Sequence, residues 1–150
     1  MVDSRLKGAR AESDIVKKLT EATGLPFKRI PMSGALDAAH GLKGDIYIPN
    51  SLNIFCIEVK HYAQDHLTSK ILTDKTPQII EWWKQTIREA AQISRKPLLI
   101  YKFDRNKIFV AFKDMPNSME YRWLFFCIDG HEFYSAKLDD WLEYEQPRFT

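Results

Sequence analysis

Asp45, Glu58 and Lys60 are the residues whose types and spacing best suit chemistry. Gly44-Asp45-Ile46-Tyr47-Ile48 reads as a strand, and Pro49-Asn50-Ser51-Leu52-Asn53 breaks and turns it. Ile54-Phe55-Cys56-Ile57-Glu58-Val59-Lys60 returns as a second strand, apolar until its last residues. Period-2 geometry puts Glu58 and Lys60 on one face and Ile57 and Val59 on the other. If the two strands pair as a hairpin, Asp45 lies near Glu58 and Lys60. Two carboxylates and an amine then meet at the edge of an apolar sheet. Charged groups there need a metal ion, one another, or an open cleft.

That donor set predicts a metal-dependent phosphodiesterase site. Phosphodiester hydrolysis needs an attacking water, charge relief on the phosphoryl group, and help for the leaving oxygen. Carboxylates bind Mg²⁺ or Mn²⁺ through hard oxygens, and the ion acidifies water and polarises phosphate. Asp45 and Glu58 are the natural ligands, with the main-chain carbonyl of Val59 as a third. Lys60 is placed to orient the water or to stabilise developing negative charge. A Glu-x-Lys triplet alone is common, and its rival is a surface salt bridge at a sheet edge.

The elements that must position these residues are readable along the chain. Residues 5–23 read as a helix on the recurrence of Ala9, Glu12, Ile15, Val16 and Leu19, ended by Gly24-Leu25-Pro26. Two readings of Glu12 stand: a solvated flank residue, or a carboxylate reaching over the sheet into the site. Phe27 to Ile30 is a short strand candidate. Residues 31–43 read as a long loop leading into Asp45, and long ordered loops are often functional. Residues 61–76 are polar, with His61 and His66, and predict a loop or short helix.

Thr76 as N-cap and Pro77 in the first turn open a second helix with a stripe of Ile79, Ile80, Trp83, Ile87, Ala90 and Ala91. Trp82 falls at the edge of that stripe, and the two adjacent tryptophans are not expected to point together into one small core. Leu98 to Phe103 and Lys107 to Phe112 form a hairpin pair, as do Tyr121 to Ile128 and His131 to Ala136 around Asp129-Gly130. Asp139 caps a short final helix. Helix, strands, helix, strands and helix predict an α/β domain with a mixed central sheet and helices on both faces. A purely parallel dinucleotide-binding fold is not expected, because no glycine-rich fingerprint follows the first strand and too few parallel crossovers fit in 150 residues.

Bulk properties set the frame. A chain of 150 residues, 45% hydrophobic and 13% aromatic, is expected to form one domain with a real core. The net charge of +2 hides an asymmetry: residues 1–113 carry 19 Lys+Arg against 12 Asp+Glu, and residues 114–150 carry 3 against 8. That distribution fits a basic face for an anionic partner and a separate acidic face, with an ordinary solvated surface as the bland alternative. Cys56 and Cys127 lie in apolar strand-like runs and read as buried thiols. The absence of CxxC argues against zinc. No signal-like or membrane-spanning run is seen, so a cytoplasmic protein is expected, in the host cytoplasm if viral.

Four stretches carry a family resemblance: Lys7-Gly8-Ala9-Arg10-Ala11-Glu12; Arg29-Ile30-Pro31-Met32-Ser33-Gly34; the pair Gly44-Asp45-Ile46 and Ile57-Glu58-Val59-Lys60; and Lys96 through Phe103. In order and spacing, over about residues 5–112, the chain resembles the PD-(D/E)xK nuclease superfamily. Within it, the likeness is to the archaeal-type Holliday junction resolvases and their phage-encoded relatives. The resemblance implies a restriction-endonuclease-like fold and an Mg²⁺-dependent endodeoxyribonuclease, with Mn²⁺ able to substitute. It implies a homodimer acting on branched DNA and leaving 5′-phosphate and 3′-hydroxyl ends. Glu12, Asp45 and Glu58 become the metal-site acids and Lys60 the catalytic amine. Ser33 comes near the scissile phosphate, and Arg5, Lys7, Arg10 and Arg29 face backbone phosphates.

The frequent proline before the first metal-binding aspartate is replaced by Lys43-Gly44. Gln78 and Gln85 both qualify as a supporting glutamine. His61 reads either as a phosphate contact or as an exposed loop histidine. Residues 114–150 form a C-terminal extension beyond the resemblance. The alternatives are a nickase, a restriction-like or end-processing nuclease, and a noncatalytic DNA-binding or structural protein.

Overall fold

In a computed structural model the described residues are 4–31 and 42–150, with side chains described from Gly8 onward. The elements run α1 (Ser4–Thr23), β1 (Lys28–Arg29), β2 (Ile46–Tyr47), β3 (Phe55–Tyr62), a 3₁₀ turn (Ser69–Leu72), α2 (Gln78–Gln92), β4 (Lys96–Phe103), β5 (Ile108–Phe112), β6 (Trp123–Ile128), β7 (His131–Lys137) and α3 (Leu138–Glu145). The seven strands form one mixed sheet in the order β1-β2-β3-β4-β5-β7-β6. Among the described residues only β3 and β4 pair in parallel, and α2 makes the crossover between them. This is the expected restriction-endonuclease-like architecture, a mixed central sheet flanked by helices.

Alternation along the central strands divides the core in two. Ile57, Val59, Leu98, Ile100 and Val110 pack against Ala11, Ile15 and Leu19 of α1 and Leu138 and Trp141 of α3. Leu99, Tyr101, Phe103 and Ala111 face the other way, against Ile79, Ile80, Trp82 and Trp83 of α2. Both tryptophans are buried, contrary to expectation. Trp83 stacks on Phe133, whereas Trp82 packs among Tyr101, Phe103 and Tyr62. A helix lying on a broad aromatic sheet face can seat two neighbouring rings in different directions.

Other boundaries differ locally. The helix expected to be capped by Thr76 has Pro77 at its N-cap, with no side-chain hydrogen bond there. Asp139 lies in the first turn of α3 and accepts from Lys18 at 2.7 Å, while Lys137 occupies the N-cap. Cys127 is exposed, because β6 is the outermost strand. Residues 123–145 continue the same sheet and cover its α1 face, so the acidic C-terminal part is built into the fold. Asp129 and Gly130 both adopt positive φ, 52° and 79°, as a two-residue turn between β6 and β7 demands. Among the described residues no helix is long and apolar enough to cross a membrane.

Candidate active site

The strand-turn-strand unit forms as the sequence predicts. Arg29 pairs with Ile46 and Ile46 with Ile57, which sets Asp45 opposite Glu58 at the end of β2. Asn53 closes the turn with its side chain, accepting from the Ile48 amide at 2.7 Å and donating to the Ile48 carbonyl at 2.8 Å. Gly44 sets the approach. Its φ is +87°, and a Cβ there would collide with the Ile57 carbonyl oxygen. The close approach allows the Asp45 amide to donate to that oxygen at 2.7 Å, while the Ile30 amide donates to the Asp45 carbonyl at 2.8 Å. The glycine thus does positional work where the resemblance implies a proline. Gly44→Ala is expected to cost about 2 kcal/mol or more of stability, read as a lower denaturant midpoint at unchanged slope.

Asp45 Oδ2 accepts from the Val59 amide at 2.7 Å, between the two residues of the Glu-x-Lys pair. Glu58 is buried, and Lys60 Nζ stands 3.6 Å from its Oε1. Gln85 on α2 donates to the same Glu58 oxygen at 3.2 Å. Of the two candidate glutamines, Gln85 therefore reaches Glu58, while Gln78 opens α2 about two helical turns earlier. Gln85 also donates to Glu89 Oε1 at 3.3 Å, and Glu89 Oε2 is buried without a hydrogen-bond donor among the described residues. Sequence reasoning missed Glu89. The available signal was its position one helical turn beyond Gln85, which places both on one face.

The electrostatics of the pair follow from this enclosure. Burial above all pushes the Asp45 carboxyl up to about 6, and the Glu12 charge adds to it while the Val59 amide opposes it. Glu58 is driven higher, to about 10, first by burial, then by its hydrogen bond with Glu89 and the charges of Asp45 and Glu89; Lys60 acts against this. With no cation, burial and the neighbouring acids favour the protonated form of the pair. Burial likewise raises the Cys56 thiol to about 12, which makes it an inert core residue.

Glu12 on α1 is largely covered and accepts from Arg29 Nε at 2.8 Å. It is therefore not a solvated flank residue: its charge acts on Asp45, and Arg29 partners it. Arg10 is exposed on α1. Arg5 and Lys7 lie on the same helix, with their side chains outside the described residues, and Ser33 lies outside them altogether. His61 is not an exposed loop residue. It belongs to β3, pointing to the face opposite Lys60, with Nε2 2.9 Å from Asp104 Oδ1 and Nδ1 buried without a partner among the described residues.

Among the described residues, no group of three or more His, Cys, Asp or Glu side chains is gathered to hold a metal ion. Two carboxylates suffice for Mg²⁺, which keeps several waters and takes one or two protein carboxylates plus substrate oxygens. Asp45 and Glu58 supply hard oxygens, and the charges of Glu12 and Glu89 beside them add negative potential that a cation would offset. The residues present fit such an ion.

Residues 3–146 match the family described as "Phage putative PDDEXK endonuclease". The chain belongs to this family. The match extends well past residue 112 and takes in the C-terminal strands and all of α3. Protein D14 of Escherichia phage T5 is 42% identical over 113 residues, spanning 73% of this chain and 71% of the phage protein. In fold, the chain is similar to Hjc of Archaeoglobus fulgidus, a Holliday junction resolvase from an archaeal hyperthermophile, at 16% identity over 93% of each chain and a TM-score of 0.44.

Proposed function

We propose that the protein is a metal-dependent, structure-selective DNA endonuclease that resolves four-way junctions by paired phosphodiester hydrolysis. The observation that carries the hydrolytic part is the meeting of Asp45, Glu58 and Lys60 across two paired strand ends, inside a family of PD-(D/E)xK endonucleases. The choice of junctions rests on the resemblance of the stretches around Glu12, Ser33, Asp45 and Glu58 to the archaeal-type resolvases.

In this reading Asp45, Glu58 and the main-chain carbonyl of Val59 hold Mg²⁺ or Mn²⁺, with Glu12 acting indirectly. When bound, the ion neutralises phosphate oxygens and acidifies an attacking water. Lys60 orients that water and stabilises the charge that develops on the phosphoryl group. Asp45 is fixed by the Val59 amide, so its orientation does not depend on substrate. Gln85 and Glu89 hold Glu58 from the helix side. Arg5, Lys7, Arg10, Arg29 and Ser33 contact backbone phosphates, which give affinity without base readout. Two copies related by a two-fold axis bring one site to each of two opposed strands.

Gln85 has its own expected effect. Gln85→Ala raises the Mg²⁺ concentration needed for half-maximal cleavage by about 10- to 100-fold, as loss of an orienting partner does in metal sites. A metal titration of cleavage rate checks it. The reading as a whole is tested on a labelled immobile four-way junction beside linear duplex of the same sequence. Symmetrically paired nicks with 5′-phosphate ends, scarce on duplex, are expected. Equal cleavage of both DNAs would instead establish a nickase or restriction-like nuclease.

A further inference from the structure

We propose that Tyr62 is a stacking platform for a nucleobase unstacked at a DNA branch point beside the scissile phosphate, an inference that rests on the nuclease reading above. Alternation along β3 puts Glu58, Lys60 and Tyr62 in one row on the α2 face. Neighbours in such a row stand about 6.6 Å apart. Glu58 is buried, Lys60 is half-buried, and Tyr62 is 43% exposed. The row therefore rises from the core, through the amine, to an aromatic ring in solvent. The step from Lys60 to Tyr62 is comparable to the span from a phosphate to the base it carries.

A singly exposed aromatic is ordinary. What distinguishes Tyr62 is its support. Its ring lies 5.0 Å from the buried Trp82 at 37°, and His66 meets it edge-on at 5.7 Å. His66 in turn lies against Trp82 at 5.6 Å and Phe103 at 5.7 Å. A ring held this way has little freedom left to lose on binding. Stacking on it needs no particular base, because every base has a π-face. A base inside a duplex cannot use the platform without leaving its helix, which costs a few kcal/mol. The substrate class favoured is DNA whose cut lies next to an unpaired or unstacked nucleotide.

The test uses two DNAs, a fork with a single 2-aminopurine at the unpaired nucleotide flanking the cut and the matching intact duplex. Ca²⁺ replaces Mg²⁺, so that binding is read apart from cleavage. Wild type and Tyr62→Phe are expected to change the 2-aminopurine fluorescence by stacking. Tyr62→Ala is expected to abolish that change and weaken fork binding by about 10- to 100-fold, with the loss on duplex about tenfold smaller. Tyr62→Leu, which keeps apolar bulk without a π-face, carries the same comparison if the alanine variant does not fold. An unchanged signal in both variants, or an equal loss on both DNAs, overturns the platform. A fork-specific loss in a protein that cuts no DNA with Mg²⁺ or Mn²⁺ overturns the nuclease reading, and with it the placement beside a scissile phosphate, and leaves Tyr62 as a base contact of a DNA-binding protein.

Discussion

Glu58→Gln is expected to reduce DNA cleavage by at least about a thousandfold and, in the same step, to stabilise the metal-free protein at alkaline pH. In the proposed reading, the first effect is loss of an anionic ligand at a site where the reacting phosphate needs an ion. The second follows from the site's electrostatics. The Glu58 carboxyl is held far above its ordinary range, to about 10, by burial and by the nearby acids. Its favourable contribution to folding is therefore full below the unfolded value near 4.5 and is lost as pH rises toward the folded one. Asp45 adds the same sign over a narrower window, from 3.8 to about 6.

Thermal unfolding in chelator should accordingly show the wild type losing stability between about pH 5 and about pH 10, and Glu58→Gln losing much less. Mg²⁺ should recover the wild type at the upper end, by binding the folded state, and do little for the variant. Parallel pH curves for the two proteins would mean that Glu58 is not the strained acid of this site.

The second large effect belongs to Lys60. Lys60→Met keeps the aliphatic stem and removes the ammonium that stands 3.6 Å from Glu58. Single-turnover cleavage is expected to fall about 100- to 1000-fold, with the loss in kcat and little change in KM, because the amine acts on charge that develops only in the transition state. Lys60→Arg should not restore the rate. A planar guanidinium presents its donors in a fixed fork and cannot take the place of a compact ammonium. A loss confined to KM would make Lys60 a phosphate-binding residue.

Much of this site was legible in the sequence because its logic is local. A strand, a turn closed by Asn53 and a returning strand fix which acids face each other, and period-2 alternation separates Glu58 and Lys60 from Ile57 and Val59. The lengths were less legible. The ladder of β2 covers only Ile46–Tyr47, since Gly44 turns at positive φ and Pro49 has no amide to donate. β3 runs on to Tyr62, through polar residues that look like loop, because its parallel partner continues to Phe103.

The helix contribution was legible only in part. Gln85 and Gln78 look alike in sequence, and only the placement of α2 over β3 brings Gln85 to Glu58. Glu89 reads as an ordinary polar helix residue until that contact is seen. Glu12 turned on packing in the same way, since Arg29 arrives beside it from a different element. His61 could not be placed from sequence because its partner, Asp104, lies 43 residues away.

The most direct measurement is the rate of strand scission of a labelled four-way junction as Mg²⁺ is titrated, with wild type and Glu58→Ala side by side. A rate that rises and saturates with Mg²⁺ in the wild type, vanishes with chelator and is absent from a folded Glu58→Ala protein is the predicted result. A folded wild type that binds the junction but cuts nothing in Mg²⁺ or Mn²⁺ would contradict it and leave a DNA-binding module. Undiminished cleavage by Glu58→Ala would place the chemistry elsewhere on the molecule.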